Sequence, residues 1–130
     1  MTATTQPGDA LAAPLAAAVR LGFAAWFLAR PEVPARALGV PDRPALRRVA
    51  HVVAARELVL GTGTLAALAA GRRTDGWVRA MAVADAVNGS CVLAATLLGQ
   101  VPGRRGLGLA AFDLSGTLSE LWLARRLARD

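Results

Sequence analysis

Four long apolar segments, separated by charged or proline-containing connections, dominate the pattern of hydrophobic and polar positions. They cover approximately residues 11–29, 49–70, 77–99 and 106–123. A helix rises about 1.5 Å per residue, so helices of about 18–23 residues are roughly 27–34 Å long, close to the hydrocarbon thickness of a bilayer. The pattern therefore predicts an all-α fold, namely an integral membrane bundle of four transmembrane helices.

The connection between the first two segments, PEVPARALGVPDRPAL, contains four of the seven prolines. Proline removes a backbone donor inside a helix, so this stretch is not expected to form one regular helix. We expect it to lie at the membrane interface, with residues 37–40 dipping towards lipid. The whole chain, residues 1–130, is predicted to be a single transmembrane domain in which residues 1–9 form a flexible N-terminus.

Composition and the placement of charge agree with this prediction. Hydrophobic residues make up 55% of the chain, and arginine accounts for all 15 of its lysine and arginine positions. The arginines occur as pairs and single residues, mostly between the apolar segments, where cations meet the headgroups of anionic lipids. Trp26, Trp77 and Trp122 lie near segment ends, as in the aromatic belts of membrane proteins. We therefore expect a multi-pass protein of the bacterial cytoplasmic membrane, with the lipid bilayer as its partner.

Two other classes of protein fit the sequence less well. The net charge of +6 would suit nucleic-acid binding, but no basic stripe or aromatic platform for bases accompanies it, so no nucleic-acid partner is expected. A soluble alanine-rich four-helix bundle would need a polar face along each helix, whereas the polar residues here form only narrow stripes. The arginines divide almost evenly between the two sides of the predicted bundle, which leaves its orientation open, and a homo-oligomer is left open as well.

The second and fourth segments are the weakest candidates for membrane insertion. A charge at the centre of a helix costs about 2.5–3.5 kcal/mol on insertion, while each leucine or valine returns only about 0.3–0.6 kcal/mol. These two segments are therefore expected to insert with the help of neighbouring helices.

The few polar residues inside the apolar segments fall on one face of each predicted helix. In the fourth segment, Asp113, Thr117 and Glu120 stand at positions i, i+4 and i+7. The other three segments contribute Arg20, Arg56, Glu57, Asp85 and Asn88. Lipid cannot satisfy polar atoms, so these faces are predicted to meet inside the bundle. Two arginines would then face four acids, so at least one acid must be protonated, lie near a helix end or contact water.

Two roles for these inward residues are open. Pairs of arginine and acid can fix the register of packed helices without taking part in any chemistry. Alternatively, they line a polar cavity, because ionisable groups inside a membrane are costly and usually functional. In that case the ligand-binding residues are Arg20, Glu57, Asn88 and Thr117. If the protein is an enzyme, the catalytic residues are Asp85, Asp113, Glu120 and Arg56.

Cysteine and histidine give no sign of a metal or redox site. Cys91 is the only cysteine and is expected to be a small core residue. His51, the only histidine, lies near the start of the second predicted helix and is expected at the membrane interface. No metal and no cofactor are therefore predicted. The GTGT stretch at residues 61–64 lacks the Lys-Ser/Thr ending of a phosphate loop and is expected to allow close helix packing.

Two short motifs resemble those of a known group of proteins. The stretch RELVLGTG at residues 56–63 is followed about twenty residues later by ADA at residues 84–86. This pattern is similar to that of small four-helix membrane proteins of actinobacterial type, which are loosely DoxX-like. The resemblance covers residues 46–123 and implies the architecture but no reaction. By matching position it points to Arg56, Glu57, Gly61 and Asp85.

Three functions are compatible with these residues. The first is a non-catalytic membrane protein that binds a lipid, a small lipophilic ligand or a protein partner. The second is a membrane-embedded, cofactor-independent acid–base enzyme, such as an isomerase, a cyclase or an epoxide-opening enzyme, acting on a small lipophilic substrate. The third is a small proton-coupled exporter, against which Arg20 counts, because small multidrug transporters of this size use an acid in the first helix.

Overall fold

The computed structural model describes residues 7–129, with side chains from residue 11 onwards. Five helices and no strand occupy this part of the chain. In order they are α1 (Pro7–Ala29), α2 (Val33–Leu38), α3 (Pro44–Ala69), α4 (Asp75–Leu97) and α5 (Gly103–Leu127). The all-α prediction is therefore confirmed, while the predicted number of four helices is wrong.

The additional helix is α2, which forms inside the proline-rich connection. Pro34 lies in its first turn, where a backbone N–H would have no partner within the helix. Gly39 ends the helix with a φ of 70°, a conformation that glycine adopts without a steric penalty. Its N–H donates to the Arg36 carbonyl (3.1 Å), and the Val40 N–H donates to the Ala35 carbonyl (3.1 Å). The prolines thus exclude one long helix but permit a short one.

The first helix begins earlier than the sequence pattern suggests. Residues 1–6 of the predicted flexible N-terminus lie outside the described residues, and residues 7–9 belong to the first turn of α1. Pro14 stands inside α1.

Three helices are long and apolar enough to cross a membrane by length and composition. They are the Leu11–Ala29 part of α1, the whole of α3 and the whole of α4. The helix at the fourth predicted span, α5, has 25 residues but is not among these three. Charges in its first and last turns and two acids near its middle lower its hydropathy, so composition alone does not make it a span.

The four long helices run alternately up and down. Helix α1 packs along α3, α4 packs along α5, and a smaller α3–α4 contact joins the two pairs. Small residues make the close approach possible, because α1 turns a buried stripe of Ala13, Ala17 and Ala24 towards its neighbours. A Cβ added at Gly61 of α3 would stand 3.1 Å from the Ala17 carbonyl oxygen. Close packing at the GTGT stretch is therefore confirmed.

Large apolar side chains point outwards and small ones inwards. Among the side chains of residues 11–129, twenty large hydrophobic residues are exposed, including Val52 at 69% and Leu118 at 70%. The buried apolar residues are mostly alanines, with Met81 and Val78 the largest that are fully buried. A water-soluble bundle buries its large hydrophobic side chains. This reversed arrangement fits a bundle whose solvent is lipid and disfavours the soluble alternative.

Two glycines in the first half of α5 provide a test of this packing. A Cβ at Gly106 would overlap the hydroxyl of Thr96, which is fixed by its own bond to the Val92 carbonyl (2.7 Å), whereas a Cβ at Gly108 would meet nothing within 4 Å. We expect Gly106→Ala to destabilise the protein by about 1–3 kcal/mol through overpacking. Gly108→Ala should stabilise it by up to about 1 kcal/mol through helix propensity. Thermal unfolding of both variants in detergent, followed by circular dichroism, measures the difference, and equal shifts would contradict the α4–α5 packing.

Candidate functional site

A single buried guanidinium lies where the four long helices meet. Arg20 of α1 is 7% exposed and continues the alanine stripe of that helix. Its Nη1 donates to Glu57 Oε2 of α3 (2.8 Å) and to Asp85 Oδ1 of α4 (2.7 Å). Its Nη2 donates to Glu120 Oε1 of α5 (2.5 Å). One side chain of α1 therefore binds a carboxylate from each of the other three long helices.

Small residues give the charged groups the space that they occupy. Arg20 stands three residues after Ala17 and four before Ala24, both of which are fully buried. On α5, Gly116 lies against Asp85, since a Cβ there would be only 2.6 Å from Asp85 Oδ2. Gly116 is not among the residues predicted for the site, although it shares a helical face with Asp113 and Glu120.

A second arginine binds the same carboxylate of α3 from its other side. Arg56 donates from Nη2 (2.7 Å) and Nε (3.1 Å) to Glu57 Oε1, and from Nη1 to Asn88 Oδ1 of α4 (3.1 Å). The two oxygens of Glu57 therefore bind two different guanidinium groups. The Glu57 side chain is 5% exposed and that of Arg56 is 29% exposed, so Arg56 forms the outer edge of the site.

Two acids of α5 retain acceptor positions that other side chains do not fill. Glu120 Oε2 is buried and has no hydrogen-bond partner within residues 7–129. Asp113 is half-buried and packs against Gly89, since a Cβ added at Gly89 would be 3.2 Å from the Asp113 Cβ. None of the described cations lies within 4 Å of the Asp113 carboxylate. Both groups remain able to accept hydrogen bonds.

We define the Arg20 cluster as the inward polar residues that these contacts join, together with Asp113, which makes none of these contacts but lies close enough to interact electrostatically with Arg20, Arg56, Glu57 and Asp85. Its members are Arg20, Arg56, Glu57, Asp85, Asn88, Asp113 and Glu120. The cluster contains two guanidinium groups and four carboxyl groups. A low-dielectric interior does not tolerate two unbalanced negative charges, so the balance must come from protons, water or a bound partner.

The structure places the remaining candidates outside the cluster. Thr117, predicted to bind a ligand, donates its hydroxyl to the Asp113 backbone carbonyl (3.1 Å), and its oxygen can still accept a hydrogen bond. His51 is exposed and is the eighth residue of α3, which begins five residues before the predicted second segment. Cys91 is exposed rather than in the core as predicted, because it stands two residues after Gly89 and so faces away from α5. Within residues 7–129, no group of three or more His, Cys, Asp or Glu side chains is placed to hold a metal ion.

Removing the shared guanidinium should cost far more stability than removing the outer one. Arg20→Met leaves three carboxylates near one another without their common cation, and breaking such a buried arrangement costs about 3–5 kcal/mol. Arg56→Met leaves Glu57 bound to Arg20, so its cost should be clearly smaller. The measurement is the unfolding of each full-length variant in detergent at neutral pH. Equal losses of stability in the two variants would contradict the claim that Arg20 stabilises the bundle more than Arg56 does.

Comparisons of the chain with protein-family models, with curated proteins and with solved structures find no match.

Proposed function

We propose that this is a multi-pass protein of the bacterial cytoplasmic membrane whose four long helices span the bilayer and bind a small lipophilic ligand at the Arg20 cluster. One observation carries the proposal. A buried guanidinium binds carboxylates of three other helices, while the large apolar side chains of the same bundle face outwards. Such an interior suits a ligand with a polar group, and such an exterior suits lipid.

The proposal requires α5 to cross the membrane with the three more apolar helices. Its outer face exposes Leu107, Leu114, Leu118 and Trp122, which follow one another at helical spacing. The hydroxyl groups of its two outward serines are satisfied within the helix, since Ser115 donates to the Phe112 carbonyl (2.7 Å) and Ser119 to the Ser115 carbonyl (2.9 Å). Its mid-helix acids belong to the Arg20 cluster. The polar groups of α5 therefore lie inside the bundle, are hydrogen-bonded within their own helix, or stand at its charged ends.

The number of spans is tested by labelling single cysteines in the full chain. In a Cys91→Ala background, Arg72→Cys reports the α3–α4 connection, Gln100→Cys the α4–α5 connection and Arg129→Cys the C-terminal end. A membrane-impermeant maleimide is applied to intact cells. With four spans, Arg129→Cys should label like Arg72→Cys and opposite to Gln100→Cys. If Arg129→Cys labels like Gln100→Cys, then α5 does not cross the membrane.

The charge of the cluster indicates what kind of ligand it would accept. Four carboxyl groups face two guanidinium groups, and the unfilled acceptor positions lie on Asp113 and Glu120. A ligand that supplies hydrogen-bond donors or a positive charge would improve this balance, whereas an anion would worsen it. We therefore propose a lipophilic alcohol or amine, with its apolar part between the helices.

Mass spectrometry of small molecules that copurify with the full chain in detergent tests this binding. We expect one class of lipophilic alcohol or amine on the wild type and its loss, by fivefold or more, from Asp113→Asn. The matched control is Asp42→Asn, which replaces an acid outside the cluster and should retain the molecule. A wild-type protein without such a molecule, or an Asp113→Asn variant that retains it, would contradict the proposal.

A membrane-embedded acid–base enzyme is the second candidate, and one observation favours it. Glu57, Asp85 and Glu120 each accept a hydrogen bond from a guanidinium, whereas Asp113 has no ion pair within the described residues. Carboxyl groups in unequal environments are what a general acid and a general base require. Asp113 would exchange the proton and Arg56 would orient the substrate, in an isomerisation, cyclisation or epoxide opening without a cofactor. We also propose the relation to DoxX-like membrane proteins, but this relation would not identify a reaction.

A further inference from the structure

An open groove lies at the end of the bundle that holds α2. Its volume is about 640 Å³, and it runs between the connection from α2 to α3 and the C-terminal end of α4. Its apolar walls come from Leu38, Val40, Leu46, Ala95 and Val101, and Arg43 stands beside them. The groove shares no residue with the Arg20 cluster.

The position of the groove in the fold places it at a membrane boundary. It lies where α3 begins and α4 ends, and both helices are long and apolar enough to cross a membrane. If these helices span the bilayer, the groove lies at the level where hydrocarbon gives way to headgroups. An amphiphilic lipid meets both an apolar wall and a cation at this level.

Positive charge is in excess at this end of the bundle. Seven arginines face two acids, Glu32 and Asp42, among the described residues of this end; the arginines are Arg30, Arg36, Arg43, Arg47, Arg48, Arg104 and Arg105. Arg47 binds Asp42 in a bidentate manner, and its hydrogen bond lowers the pKa of the Asp42 carboxyl and keeps this acid ionised.

Arg43 is the cation in the groove that has no acid of its own. Glu32 is 3.9 Å from Arg36, and Asp42 belongs to Arg47, whereas no acid of the described residues lies within 4 Å of the Arg43 guanidinium. Arg43 is exposed and directly precedes α3, with an extended backbone (φ −129°, ψ 149°). Its charge is therefore available to an anionic group from outside the chain.

We infer that this groove binds an anionic phospholipid, with an acyl chain against Leu38, Val40 and Leu46 and the headgroup phosphate on Arg43. Free phosphate would make no contact with the apolar walls, and a zwitterionic lipid brings no net negative charge to Arg43, whereas an anionic phospholipid does both. The inference depends on α3 and α4 crossing a membrane. It does not depend on a ligand at the Arg20 cluster, and the two proposals can fail separately.

Native mass spectrometry of the full chain in detergent tests the inference with three probes. They are phosphatidylglycerol, phosphatidylcholine with the same acyl chains, and glycerol phosphate, which carries the anionic group without the chains. We expect phosphatidylglycerol to bind at least fivefold more than phosphatidylcholine, and excess glycerol phosphate not to displace it. Arg43→Gln should remove this preference, while Val40→Ser should weaken both lipids about equally. The matched control, Arg72→Gln, alters an exposed arginine at the opposite end and should leave binding unchanged.

Three results would overturn the inference. Equal losses from Arg43→Gln and Arg72→Gln would indicate a general attraction between basic helix ends and anionic lipid. Displacement by glycerol phosphate would indicate a phosphate site. Equal binding of the two lipids by the wild type would exclude a role for the arginine. Thermal unfolding of Arg43→Gln serves as the control for folding of this variant. If Arg43→Gln does not fold, Val40→Ser tests the groove independently.

Discussion

The rest of the structure depends on the requirement that a buried guanidinium must be surrounded by acceptors. Arg20 lies in an apolar bundle where an unpaired charge would cost several kcal/mol. It is satisfied only where α3, α4 and α5 each bring a carboxylate to the same point. Since α1 packs mainly on α3, and α4 mainly on α5, Arg20 also connects the two helix pairs. Charge satisfaction therefore acts together with the α3–α4 contact to place the two pairs.

The distribution of side-chain size follows from the same requirement. Helices that share one guanidinium must approach closely, and the alanine stripe of α1 and the glycines Gly61 and Gly116 permit this. The large apolar side chains are then left to the outside, where they would meet lipid. Helix α5 is the clearest case, because its acids belong to the cluster while Leu107, Leu114, Leu118 and Trp122 face outwards. The large apolar side chains of such a helix lie mainly on the face that lipid would contact.

Much of this arrangement could be predicted from the sequence, because few polar residues interrupt long apolar segments. Helical spacing alone groups Asp113 with Glu120 and Asp85 with Asn88, and the cost of a polar atom in lipid turns these faces inwards. The short helix α2 could not be predicted in the same way, since the prolines exclude a long helix but do not indicate a six-residue helix that ends at Gly39. The spacing of polar residues also does not predict which partner each side chain on the face contacts.

Three residues show what the pattern does not determine. Thr117 shares the face of Asp113 but uses its hydroxyl on its own helix, a choice that spacing cannot reveal. Cys91 stands among apolar residues and is predicted to lie in the core, yet many apolar side chains of this bundle are exposed, and Cys91 is one of them. The division of Glu57 between Arg20 and Arg56 depends on three-dimensional distances that no sequence separation encodes.

The central claim is that Arg20 joins α1 to the distant α5 through Glu120, and a double-mutant cycle tests it most directly. The unfolding free energies of the wild type, Arg20→Met, Glu120→Gln and the double variant are measured in the same detergent. Groups in direct contact show coupling of about 0.5–3 kcal/mol. We predict that the double variant loses less stability than the two single variants together, by about 1 kcal/mol or more. Strictly additive losses would contradict the shared guanidinium as the contact that holds the bundle together.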